Sequence, residues 1–109
     1  KGAYEQRVID LTKARQDFDN MERTISQQVR TQVRDLHSTQ AKAKLAEVNL
    51  RVAEKNLESD RALRDAGRSI EKDVLDSIKA VEDARAQYEK ALADHQLAKV
   101  SLLKLQGAM

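Results

Sequence analysis

The chain has no cysteine, no proline and no tryptophan, and its 109 residues include one phenylalanine, two tyrosines and three glycines. The absence of cysteine leaves the redox compartment undetermined. Aromatics at 3% beside charged residues at 35% exclude a conventional globular core, though not a thin helical seam. No apolar run approaches the roughly eighteen residues of a membrane helix, and no signal-peptide pattern is present. The chain starts at Lys1 rather than Met and reads as an excised or mature segment. Twenty basic and eighteen acidic residues alternate along it to a net charge of +2. Its sequence pI of about 9.0 therefore overstates any affinity for polyanions. No basic stripe with interleaved aromatics is visible, so nucleic acid is not an expected partner. No Ser/His/Asp set, glycine-rich phosphate loop or metal motif occurs, so neither an enzyme nor a cofactor is expected. His37 and His95 come within a turn of each other if the chain folds back, but they lack a third ligand.

Between Ala3 and Gln106 the only helix breaker is Gly67. A lone glycine in such a run is where a helix can reverse, because glycine takes the left-handed end conformation without penalty. After it come Arg68, Ser69, Ile70, Glu71, Lys72 and Asp73, a ready helix start. Ser69 is placed to cap, with Glu71 and Asp73 near the positive end of the helix dipole. The expected fold is all-α: one helical-hairpin domain with a helix over residues 3–65, a tip at 66–69 and a second helix over 70–106.

The apolar residues recur at spacings of three and four. On the first arm they are Leu11, Ala14, Phe18, Met21, Ile25, Val29, Val33 and Leu36, then Ala43, Ala46, Leu50, Ala53 and Leu57. The alternation breaks in an eleven-residue step from Ile25 to Leu36, which predicts a local unwinding of a left-handed supercoil. A second strip, Ala41, Leu45, Val48 and Val52, implies neighbours on two sides of this helix. The seam of the second arm is Val74, Ile78, Val81, Ala84, Tyr88, Ala91, Ala98, Leu102 and Leu105, with Leu75, Leu92 and Leu103 off it. Folding at Gly67 and Arg68 sets Leu57 opposite Ile78, Leu50 opposite Ala84, Ala43 opposite Ala91 or Leu92, and Leu36 opposite Ala98. At 1.5 Å per residue the arms reach roughly 95 Å and roughly 57 Å. Leu11, Phe18, Met21 and Ile25 are thus left without a partner in the chain. Burial of such side chains is worth about 1.5–3 kcal/mol each, so another copy or further sequence is expected to cover them. The isolated chain is expected to self-associate, as a four-helix dimer.

Four elements stand at fixed spacing without a gap. They are the run from Arg23 through Thr24, Ile25, Ser26, Gln27, Gln28 and Val29 to Arg30; Gly67, thirty-seven residues after Arg30; Asp-Val-Leu-Asp at 73–76; and Gly107, forty residues after Gly67. Over residues 4–107 this arrangement resembles the TolC family of outer-membrane factors, specifically the helical hairpin of their second internal repeat. The resemblance implies a trimeric parent whose helices form a tunnel across the periplasm of a Gram-negative bacterium, beneath an outer-membrane β-barrel. The chain would then be a fragment of a trimeric α-helical barrel, an exit duct for drug efflux or type I secretion. The partners implied are a periplasmic adaptor protein and, through it, an inner-membrane transporter, with no membrane contact within this segment.

The resemblance also carries functional residues to positions here. The adaptor-docking tip maps to Ala66, Gly67, Arg68, Ser69 and Ile70. The acidic pair maps to Asp73 and Asp76, which in a trimer would form two rings of three carboxylates at the periplasmic constriction. Residues three apart share a helix face, so both side chains can point into one lumen, where crowded like charges attract cations. The chain departs from the family twice: Arg64 stands where an aromatic is frequent, and Ser69 where some members have a gate-locking arginine, with Arg68 one place early. Taken on the residues alone, Asp73 and Asp76 also read as acids at a helix start that pair with Lys72 or Lys79. Arg68 reads as a solvated turn residue and Tyr88 as seam filler. Two other functions remain open. One is the hairpin of the adaptor itself, whose seven-residue tip pattern fails here because counting back from Ser69 gives Ala62 and Lys55. The other is a plain self-associating coiled-coil scaffold.

Overall fold

A computed structural model describes residues 2–108, Ala108 by its backbone alone. Two helices account for nearly all of it: α1, Gly2–Asp65, and α2, Glu71–Ala108. They pack on each other as an antiparallel hairpin measuring 98 × 18 × 14 Å, and no strand occurs among the described residues. The all-α hairpin expected from the sequence is what forms. The absence of proline and of internal glycine lets α1 run 64 residues without a break, including the stretch around residue 35.

The core is one seam wide. Val74 is 1% exposed, and Ala43 and Val81 are each 8% exposed. Every other seam residue is half-buried, as expected where two helices cover each other from one side only. On α1 the covered seam positions are Ile25, Val29, Gln32, Leu36, Thr39, Ala43, Ala46, Leu50, Ala53, Leu57, Asp60 and Arg64, with Glu47 half-buried beside them. That is an unbroken four-three alternation, which corrects the expected eleven-residue interruption. Gln32, not Val33, takes the seam position before Leu36, and Thr39 fills the next one. A polar residue can hold a seam position that a count of apolar residues skips. On α2 the same holds for His95, which fills the gap between Ala91 and Ala98.

Polar bonds between the arms mark the register independently of burial. Thr39 Oγ1 lies 3.0 Å from His95 Nδ1, Ser77 donates its hydroxyl to the Asp60 carboxylate, and Arg64 Nη1 lies 3.3 Å from Glu71 Oε1. All three fall within about half a helical turn of the pairing set by reversal at Gly67. Thr39 also lies 2.8 Å from the Asp35 carbonyl. If its single proton goes there, the imidazole must donate to Oγ1. Leu92, one of the two residues expected against Ala43, stays 39% exposed while Ala91 is half-buried, so Ala91 holds the seam.

Residues 2–24 are exposed without exception. Tyr4, Leu11, Phe18 and Met21 are 73%, 71%, 65% and 61% exposed. The second strip is bare as well, with Leu45, Val48 and Val52 each about half exposed or more. No helix among the described residues is long and apolar enough to cross a membrane.

Candidate functional site

The reversal occupies residues 66–70, one residue longer than the expected tip, and α2 begins at Glu71 rather than at residue 70. Gly67 has φ 73°, the left-handed conformation that a side chain disfavours. Two backbone bonds close the end of α1: Arg68 N–H donates to the Leu63 carbonyl at 2.8 Å, and Gly67 N–H to the Arg64 carbonyl at 2.9 Å. This crossed pair is the Schellman arrangement, with Gly67 one position past the cap. A Cβ built on Gly67 meets nothing within 4 Å. The glycine is therefore required by backbone angle alone and not by crowding.

At the start of α2 the structure differs from the expected cap. Ile70 holds the capping position, its carbonyl accepting from Asp73 N–H at 3.1 Å. Ser69, one residue earlier, donates its hydroxyl to Asp73 Oδ2 at 3.2 Å instead of accepting a backbone N–H. The reason is the extra tip residue: once the helix starts at Glu71, Ser69 lies outside it. The serine therefore orients the Asp73 carboxylate, an arrangement the sequence pattern did not suggest.

Arg64 ties the two helix ends together. Its guanidinium lies 3.4 Å from Asp65 Oδ1 and 3.3 Å from Glu71 Oε1, with its side chain one-third exposed. Arg64 thus forms an ion pair that spans the turn. The opposition of Arg64 and Glu71 across the hairpin was the available signal, since reversal at Gly67 sets them opposite each other. Below it, the bond from Ser77 to Asp60 joins the arms a turn and a half down α2.

The tip gathers the seven residues singled out from the sequence at one end of the rod, with different degrees of exposure. Ala66, Gly67, Arg68 and Ile70 are exposed, Ile70 by 63%, while Ser69 is half-buried. Asp73 and Asp76 are both exposed. Val74, between them, faces α1, which turns Asp76 toward the side of α2 remote from α1. Among the described residues neither aspartate forms an ion pair with Lys72, Lys79 or any other base. Their charges are therefore met by no base, only by the helix start, solvent and, at Asp73, the Ser69 hydroxyl. Away from the tip, His37 is exposed while His95 lies in the seam bonded to Thr39, so the two imidazoles face different surroundings.

No protein-family model matches the chain, nor does any curated protein or solved structure.

Proposed function

We propose that this hairpin is a wall segment of a trimeric TolC-like channel in the periplasm, serving efflux or type I secretion. Its tip docks a periplasmic adaptor that links it to an inner-membrane transporter. Asp73 and Asp76 line the narrow entrance, and the channel gates there. The observation that carries the reading is the pair of exposed carboxylates, uncompensated by any base among the described residues, at the tip of a 98 Å rod. A rod of that length suits a duct across a wide aqueous space. The bare strips on α1 supply the lateral surfaces that such a wall needs.

Three copies around one axis would bring six carboxylates to the mouth in two levels, three residues apart along α2. In a narrow pore with low-dielectric walls, such rings focus negative potential, concentrate cations and bind multivalent ones. Ser69 holds one carboxylate of each copy in place by its 3.2 Å bond to Asp73. The bond between Arg64 and Glu71 stiffens the turn on which the adaptor would press. Ile70 and Arg68 are the exposed apolar and basic groups on offer at the docking surface.

The test is single-channel recording of the intact parent with Asp73→Asn and Asp76→Asn. Each exposed carboxylate near a helix start is worth only about 0.3–1 kcal/mol, so assembly should survive. Cation preference should fall sharply, and block by multivalent cations should disappear. Unchanged selectivity in a correctly assembled trimer would make the aspartates ordinary surface groups and remove the gate from the proposal.

A further inference from the structure

The four-three alternation of the seam does not stop where α2 does. Counted back from Ile25 it passes through Glu22, Phe18, Arg15, Leu11, Val8 and Tyr4, every one of them exposed. Tyr4, Val8, Leu11 and Phe18 are large and apolar, while Arg15 and Glu22 set one base and one acid into the line. α2 ends opposite the stretch from Ile25 to Val29, by the same pairing that sets Thr39 against His95. The two charges decide which helix can cover the rest. A parallel copy of α1 would press Arg15 on Arg15 and Glu22 on Glu22 inside the contact. An antiparallel copy avoids both. Pairing Arg15 directly with Glu22 would push Tyr4 and Val8 onto Gln32 and Val29, which α2 already covers. The register that uses the bare stretch and no more brings together residues whose numbers add up to 26.

We infer that the hairpin, on its own, joins a second copy end to end through residues 2–24 of both, the two stretches running antiparallel about a two-fold axis near Lys13. Val8 packs on Phe18 of the second copy and Leu11 on the stem of its Arg15, whose head reaches water. Tyr4 meets Glu22, whose carboxylate accepts from the phenol. Glu5 comes level with Asp19, and Arg15 and Arg23, one turn either side of that aspartate, offset the meeting of acids. Each early stretch takes up the line on which the other copy's α2 packs, so one continuous seam runs through the dimer. The contact is isologous and is used up by one partner, so association stops at two copies. Only two helices lie side by side in the joint, in place of the four-helix dimer expected from the sequence. Two rods of 98 Å that overlap over 23 residues make a particle about 160 Å long. This joint is independent of the tunnel-wall reading: cross-linking reads the one and conductance the other, so either can fail while the other stands.

The test uses the whole chain, which has no cysteine of its own. Two single variants, Tyr4→Cys and Glu22→Cys, are oxidised separately and as a mixture. A disulfide-linked dimer should form in the mixture and in neither sample alone. Small-angle X-ray scattering of the unmodified chain at high concentration should give a maximum dimension near 160 Å, as the overlap requires. Val8→Asp should weaken association at least about tenfold, because the joint would bury an unpaired charge. These positions are exposed in the single hairpin, so helicity by circular dichroism should be unchanged and a failure to fold would be visible. A dimer of Tyr4→Cys with itself would mean that the stretches run parallel, and would overturn the proposal. So would a dimer no longer than one rod, which would be packed side by side along the shafts. A chain that stays monomeric at high concentration would overturn it too, as would a strip that binds phosphatidylcholine vesicles and no second copy.

Discussion

Residues 2–24 and residues 25–64 belong to one continuous helix and carry the same three-four spacing of apolar side chains, yet only the second set is covered. From Ile25 onward every seam position loses solvent to α2. Before it, Leu11, Phe18 and Met21 remain more than 60% exposed. The strips are not collinear either: Ala14 and Met21 stand one residue ahead of the seam positions that Arg15 and Glu22 would occupy if the later alternation ran back. The difference teaches that helical periodicity announces that a face is to be buried but not by what. In the covered part the answer lies within the chain; in the bare part it does not.

The sharpest way to break this comparison is to place one charge in each region. Val74→Asp should destabilise the hairpin by about 3 kcal/mol or more, because an unpaired charge would enter the most buried position. Leu11→Asp should change monomer stability by less than about 0.5 kcal/mol. Urea unfolding followed by circular dichroism measures both, and equal effects would erase the distinction. The turn that brings the covered region together comes next in size. Gly67→Val should cost about 1–2 kcal/mol through backbone strain. A D-alanine at position 67 should cost nothing, since a left-handed φ suits it and no atom stands in its way.

The bare region has its own prediction. Phe18→Asp should leave the monomer fold intact and weaken self-association, whereas Lys99→Asp on the outer surface should do neither. Sedimentation velocity across concentrations separates the two. A small effect is also expected of Arg64→Ala, which removes a partly exposed pair worth roughly 0.2–1 kcal/mol and should show as a small fall in thermal midpoint.

The hairpin itself was legible because its determinants are local or periodic. A single glycine in a proline-free chain sets the reversal, and the spacing of Leu57, Leu50 and Leu36 sets the register. Gln32, Thr39 and His95 escaped because an apolar count passes over polar residues that occupy the seam, two of which, Thr39 and His95, bond to each other there. Their places were readable from the four-three count alone. At the tip the positions could be named in advance, but not their contacts. Whether Ser69 caps or donates depends on where α2 starts, and a shift of one residue moved it outside the helix. The bond between Arg64 and Glu71 is readable only once the reversal at Gly67 sets the two residues opposite each other.

α2 covers α1 along one part of its length and leaves it bare along the rest. Hydrogen–deuterium exchange of the chain, diluted to the monomer and again at high concentration, tests it most directly. In the dilute sample the account predicts slow exchange across residues 26–64 and 74–105 and fast exchange across 2–24, with those early residues slowing only as copies associate. Protection of residues 2–24 equal to that of the seam, in a sample shown to be monomeric, would contradict it.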